Sequence, residues 1–196
     1  MHATGGGPEG EAELDLPTLQ AARGGDRAAQ GALVVRYQRR VFALLSRLLG
    51  PSGRGAGVEV ADLAQETFLR ALRALPAFQP QGPARLSTWL LTIATRLALD
   101  ELRKRPLPPA APGALLRLAH PQTGEAHRSL MMQAVARAAQ GLSADHRAAF
   151  LLREAHGLSY EEIGAALALD VGTVKSRISR ARQALRAALE DPDEHA

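Results

Sequence analysis

Four prolines within seven residues, Pro106, Pro108, Pro109 and Pro112, followed at once by Gly113, divide this chain. Each proline lacks a backbone N–H and crowds the preceding turn, so no regular helix passes through them. The segment reads as a flexible, extended linker. It predicts a Gly-rich, disordered N-terminus at 1–11, one domain over 12–105, the linker over 106–127 and a second domain over 128–190. A length of 196 residues suits two small domains.

Both sides of the linker read as helix. Asp26, placed after Gly24 and Gly25, is a predicted N-cap. Behind it Leu33, Tyr37, Val41, Leu44 and Leu48 recur at helical spacing up to position 49. Gly50, Pro51, Gly53, Gly55 and Gly57 then read as a loop. Residues 58–75 and 84–105 contain no breaker, and Leu63, Phe68, Leu72 and Leu75 give the first an apolar face. Beyond the linker, helices are expected over 129–140, over 143–155 and as a pair after Gly157. No run alternates at period two with β-branched or aromatic residues, so the fold class is all-α. A hydrophobic fraction of 46% supplies a core and excludes global disorder.

Several functional classes drop out. The chain has no cysteine, hence no disulfides, thiolate zinc site or cysteine nucleophile. None of its 6 histidines falls into a metal-ligand spacing, and no Gly-rich loop precedes a helix carrying Lys-Ser/Thr. No enzyme, metal or cofactor is expected. The longest stretches without Asp, Glu, Lys or Arg, at 74–84 and 106–116, contain proline and fall short of the roughly 20 apolar residues of a membrane span. Residues 1–10 lack the apolar core of a secretory signal. The expectation is a cytoplasmic monomer without membrane insertion. Its net charge is +4, with a pI of about 10.3, which favours a polyanionic partner.

The C-terminal half carries the sharpest local signal. Ser159-Tyr-Glu-Glu162 is a capping-box pattern that opens a short helix. Leu169-Asp170 turns the chain into a longer helix, which suggests helix-turn-helix. Val174, Ile178, Ala181 and Leu185 share one face of that second helix. Gly172, Ser176, Ser179, Arg180 and Gln183 lie opposite, small or polar enough to approach base edges. Lys175, Arg177, Arg182 and Arg186 flank them and suit phosphates. Residues 171–189 contain five basic side chains and no acidic one, whereas a merely solvated face mixes signs.

The helix over 84–105 has two apolar sides, Leu86, Leu90, Ile93 and Leu97 on one and Leu91, Ala98 and Leu102 on the other. Between them runs a stripe of Arg85, Thr88, Thr92, Arg96 and Arg103, either a second nucleic-acid contact or an ordinary exposed face. Trp89 stands beside the apolar stripe, as a core aromatic or a stacking platform for a base. Asp62, Gln65, Glu66 and Arg73 cluster on the polar side of 58–75. Asp62 and Glu66 are like charges one turn apart, an arrangement that a protein partner gives a purpose.

Together these motifs resemble the extracytoplasmic-function (ECF) sigma factors of the sigma-70 family, over about residues 14–190. Asp62-Leu-Ala-Gln-Glu-Thr-Phe68 looks like the family's region 2.2, which binds core RNA polymerase, so Asp62, Gln65 and Glu66 are the implied contacts. Leu86-Ser-Thr-Trp-Leu-Leu-Thr-Ile-Ala94, Leu97-Ala-Leu-Asp100 and Arg103-Lys-Arg105 look like regions 2.3 and 2.4, which open and read the −10 element. That assigns Arg85, Thr88, Trp89, Thr92, Arg96 and Arg103 to the −10 element. Gly157-Leu-Ser-Tyr-Glu-Glu-Ile-Gly164, Gly172-Thr-Val-Lys-Ser-Arg177 and Arg180-Ala-Arg182 look like region 4, which reads the −35 element. Gly172, Thr173, Lys175, Ser176, Arg177, Ser179, Arg180 and Gln183 follow as its contacts. Arg96 stands where the family often has an Asn that helps hold a flipped −10 base. The resemblance implies a region 2 bundle and a region 4 helix-turn-helix, with core RNA polymerase, promoter DNA and an anti-sigma factor as partners. A stand-alone helix-turn-helix regulator is the alternative; it accounts for residues 143–189 but leaves the motifs before the linker without a use.

Overall fold

The computed structural model describes residues 13–55, 59–104 and 139–190, with side chains described only as far as 50 and 187 at the ends of two helices. All regular structure among the described residues is helical. The helices are α1 (Leu16–Arg23), α2 (Arg27–Gly55), α3 (Val60–Ala74), α4 (Leu86–Lys104), α5 (Ala144–Glu154), α6 (Tyr160–Leu167) and α7 (Val171–Glu190). Short 3-10 turns occupy Leu75–Ala77 and Ala139–Gly141. The N-terminus expected over 1–11, the linker over 106–127 and most of the helix expected over 129–140 lie outside the described residues.

Helix α1 is the element that the apolar spacing does not single out. Its start is nevertheless written locally: the Asp15 carboxylate accepts from the Thr18 N–H at 2.9 Å, and Pro17 sits in the first turn. Gly24 caps its end and Gly25 follows at φ 93. Only Leu19 and Ala22 of α1 are buried, too few for a recognisable periodic stripe. The Tyr37 hydroxyl donates to Glu13 at 2.7 Å and accepts from the Leu14 N–H at 3.0 Å. Ser87 also donates to Glu13, so the start of the described chain is tied to both α2 and α4.

Helix α2 begins where expected, with Asp26 accepting from the Ala29 N–H at 2.7 Å. Leu33, Tyr37, Val41, Leu44 and Leu48 are all buried. The loop expected from Gly50 differs in the structure. The helix breaks at Gly50, whose φ of 63 and ψ of −170 favour glycine, but helical backbone resumes through Gly55. Pro51 sits directly after the break, at the start of the resumed segment, where a missing N–H costs no helical hydrogen bond.

Helix α4 is the centre of the molecule. Leu86, Leu90 and Leu97 are buried on one side and Leu91, Ala98 and Leu102 on the other, with Ile93 half-buried. α2 and α3 pack on it from the N-terminal half, and α5 and α6 from the C-terminal half. Buried side chains of the two halves form one connected apolar cluster. A smaller pair, Leu49 and Leu102, is covered by Val60, Leu63 and Ala144. Where α5 meets α2, the buried Arg147 donates to the Leu48 carbonyl at 2.8 Å and to the Leu142 carbonyl at 3.2 Å.

His156, just past α5, has its Nε2 sealed from solvent without a hydrogen-bond partner. Burial lowers its pKa from 6.5 to about 4, and the charges of Arg40 and Arg47 add to the shift. The unfolded chain therefore binds a proton near pH 6.5 that the fold accepts only near pH 4. Stability is full above the upper value and falls as the pH drops through that window. Urea titrations at about pH 7 and about pH 5 are expected to show this loss, and His156→Gln is expected to reduce it; an equal loss in the variant counts against His156 as its source.

Candidate nucleic-acid and polymerase interfaces

The helix-turn-helix forms from α6 and α7. Ser159 accepts from the Glu162 N–H at 3.1 Å, and the Glu162 carboxylate accepts from the Ser159 N–H at 2.8 Å, so the capping box is complete. At the other end of α6, Ala168 adopts a left-handed conformation, φ 56 and ψ 50, and its N–H donates to the Gly164 carbonyl. The chain then folds back so closely that a Cβ on Gly164 would stand 2.7 Å from the Leu169 carbonyl oxygen. Asp170 starts α7 by accepting from the Thr173 N–H at 2.8 Å and hydroxyl at 2.6 Å. These two bonds hold the Asp170 carboxyl below the usual carboxylate range.

Val174, Ile178, Ala181 and Leu185 are buried as the spacing predicts. Gly172, Lys175, Ser176, Ser179, Arg180 and Gln183 are exposed together on the opposite face of α7. Thr173 is turned toward Asp170, and Arg177 lies 3.5 Å from Asp145 of α5. The Tyr160 ring lies beneath the Arg153 guanidinium, 4.8 Å from its centroid, and the Lys175 ammonium, 5.6 Å away. Arg182 is committed to Glu154 of α5.

On α3, Asp62 and Gln65 are exposed, and Glu66 is half-buried and paired with Arg70 at 2.6 Å. The exposed Leu69 extends this surface one turn further.

The stripe on α4 is split. Arg85 is exposed and Thr92 half-buried, its hydroxyl donating to the Thr88 carbonyl at 2.9 Å. Trp89 is half-buried and stacks at a tilt on Phe78, their centroids 5.0 Å apart. Thr88 is buried and donates to Glu162 at 3.0 Å. Arg96 donates to the carbonyls of Ala166 and Ala165, each at 2.9 Å. Arg103 pairs with Asp100 at 3.0 Å and lies 3.8 Å from Asp145. Three residues that the sequence assigns to DNA therefore face the helix-turn-helix half. Sequence reasoning passes over Arg147, yet its signal is visible: a lone arginine four residues before Leu151, on the buried side of α5. Among the described residues no His/Asp/Glu cluster has a metal-site arrangement, and no helix is long and apolar enough to cross a membrane.

Comparison with known proteins agrees with this arrangement. Residues 33–106 match the family model described as Sigma-70 region 2, and residues 132–185 match Sigma-70, region 4. The ECF RNA polymerase sigma-E factor of Escherichia coli (strain K12) is 39% identical over 184 residues, covering 87% of this chain and 92% of the relative. The RNA polymerase sigma-H factor of Pseudomonas aeruginosa is 34% identical, covering 91% of this chain and 95% of the relative. Among solved structures, CnrH in complex with the cytosolic domain of CnrY matches with a TM-score of 0.62 and 28% identity, over 89% of this chain and 96% of that one. The sigma factor RpoE of Bartonella quintana, solved with the anti-sigma factor NepR, matches with a TM-score of 0.62 and 28% identity, over 82% and 96%. The chain belongs to the sigma-70 family and, within it, to the ECF group: it is an alternative sigma factor that directs transcription initiation.

The turn between α6 and α7 generates a paired prediction. Gly164→Ala is expected to destabilise the fold, because the contact it creates is with backbone. Ala168→Gly is expected to stabilise it by about 1 kcal/mol, the usual cost of a left-handed residue carrying a Cβ. Thermal melting of the two variants beside the parent reads both signs.

Proposed function

We propose that this sigma factor binds core RNA polymerase through Asp62, Gln65 and Glu66 of α3 and reads two promoter elements. The exposed face of α7 takes the −35 element. Lys175 neutralises phosphate there, while Ser176, Ser179, Arg180 and Gln183 approach base edges in the major groove. Gly172 and Thr173 admit the backbone at the start of the helix, and Arg177 contributes charge once it leaves Asp145. The stripe of Arg85, Thr88, Trp89, Thr92, Arg96 and Arg103 on α4 takes the −10 element and stabilises its melted strand.

The observation that carries this reading is the exposed face of α7, which carries Lys175 and Arg180 among small polar residues and no acid. Residues 12–105 and 128–190 act as the two reading domains, and the Pro-rich segment lets both engage one promoter, each raising the effective concentration of the other. The protein works in the cytoplasm as a monomer when free, without cofactor, metal or catalysis of its own. An anti-sigma factor is a further partner, a reading supported by the solved relative that is bound to the anti-sigma factor NepR.

Run-off transcription with purified bacterial core polymerase and a pool of genomic fragments tests the proposal. Discrete new start sites that need the protein support it. Absence of both core binding and initiation refutes it and leaves a stand-alone helix-turn-helix regulator.

Two variants resolve the contacts. Arg180→Ala is expected to lower discrimination at one −35 position by about 1–3 kcal/mol, as for a bidentate base contact, and an unchanged promoter preference removes Arg180 from the reading face. Asp62→Arg combined with Glu66→Arg is expected to eliminate co-elution with core polymerase while circular dichroism stays that of the parent. Retained co-elution rejects the α3 interface.

A further inference from the structure

Arg96 stands exposed on the polar side of α4, in line with Arg85, Trp89 and Thr92. The four fall within about 60° of one another around the helix and span about 16 Å along it. Their chemistry changes along the row. Arg85 is an exposed cation, Trp89 a half-buried aromatic, and Thr92 a hydroxyl already donated to the Thr88 carbonyl at 2.9 Å. Arg96 presents a fork of two N–H donors. Its Nε donates to the Ala166 carbonyl and its Nη2 to the Ala165 carbonyl, each at 2.9 Å. Among the described residues Arg96 pairs with no carboxylate, whereas Arg70, Arg103, Arg177 and Arg182 each do. The fork therefore holds two neutral acceptors. They belong to successive residues, so they stand further apart than the two oxygens of one carboxylate. One turn and two turns beyond, Asp100 and Arg103 pair with each other at 3.0 Å, so that end of the stripe adds no net charge to draw a phosphate.

We propose that Arg96 is a base reader that selects guanine at one position of the −10 element. The proposal rests on the assignment of the α4 stripe to that element. Guanine carries two neutral acceptors side by side, O6 and N7, on neighbouring atoms of its two rings. Nε–H and Nη2–H donate to them, and each acceptor takes the place of one carbonyl. Adenine keeps N7 but sets an N6 donor beside it, and a guanidinium has no acceptor to offer that donor. Thymine sets its methyl group beside O4. Cytosine has adjacent acceptors only in O2 and N3, which share one carbon and stand as close as carboxylate oxygens, the spacing that the fork does not hold here. Arg85 supplies a phosphate contact to the same strand, and Trp89 an aromatic face for a neighbouring base.

Holoenzyme assembled from bacterial core polymerase and the full chain is given a promoter library randomised across the −10 element, and the templates it transcribes are sequenced. The parent is expected to prefer guanine about 5- to 150-fold at one position, the range of a bidentate base contact. Arg96→Gln is expected to move that preference to adenine, because glutamine accepts from N6 and donates to N7. Arg96→Ala is expected to flatten it and leave the other positions as in the parent. A merely structural role does not exchange one base for another. Equal loss on every sequence in Arg96→Ala makes Arg96 a phosphate contact and overturns the proposal. So does an unchanged preference in both variants, or a parent preference for cytosine at the position that they alter.

A measurement on the parent alone covers variants that fail to fold. The selected guanine is replaced in the melted strand by 7-deazaguanine, which keeps O6 but lacks the N7 acceptor, or by hypoxanthine, which keeps both and lacks only the 2-amino group. Transcription is expected to fall severalfold on 7-deazaguanine and to stay at the guanine level on hypoxanthine. Full activity on 7-deazaguanine, or loss on hypoxanthine, overturns the contact with O6 and N7. Discrete start sites with no guanine selected refute the role of Arg96 and leave the sigma-factor reading standing. A parent that gives no start sites refutes the −10 assignment, and the role of Arg96 falls with it.

Discussion

Leu86, Leu90 and Leu97 on one side of α4, and Leu91, Ala98 and Leu102 on the other, all have to leave water. Burying a leucine side chain contributes about 1.5–3 kcal/mol, so neither side can be left exposed without a large loss. α2 and α3 pack on α4 from within the N-terminal half, and the C-terminal half adds α5 and α6. The remaining strip of α4 is where polar residues can stand. Placement of the proposed −10 contacts, of the N-terminal tether through Ser87 and of the helix-turn-helix all follow from this one doubly apolar helix.

The contact between the halves is part of the core and adds polar bonds to it. Besides the shared apolar cluster and the packing around Leu49, Leu102 and Ala144, hydrogen bonds cross it. Arg147 is buried and reaches across to α2, and burial alone pulls its pKa below the usual guanidinium value. An ion that is expensive to desolvate holds its place only with well-made partners, so it defines one arrangement sharply and penalises others. Arg96 and Thr88 satisfy groups at the two ends of α6 that α6 cannot satisfy itself.

Much of the architecture is legible in the residue order. The caps at Asp26 and Ser159 are local, requiring only a side-chain oxygen within reach of an N–H three residues on, and both stand where the pattern places them. The stripe of Val174, Ile178, Ala181 and Leu185 is legible for the same reason, since one rotation per residue fixes which side chains share a face. Helix α1 escapes because two buried residues do not make a period. The helical segment after Gly50 escapes because a Gly/Pro composition that breaks most helices here breaks the chain at one residue and restarts it. Arg147 escapes because nothing in its neighbourhood states that a carbonyl 99 residues away awaits it.

The sequence by itself determined the long helices and their apolar faces, the family and the basic face of α7, since each depends on neighbours within a few turns. Tertiary structure alone decided what the α4 stripe touches. Spacing shows that Thr88, Arg96 and Arg103 share a polar side, but a hydroxyl or guanidinium binds a phosphate, a carboxylate or a carbonyl equally well in principle. Which of these it meets depends on the element that the fold brings alongside, and here that is α6, carrying Glu162 and two open carbonyls.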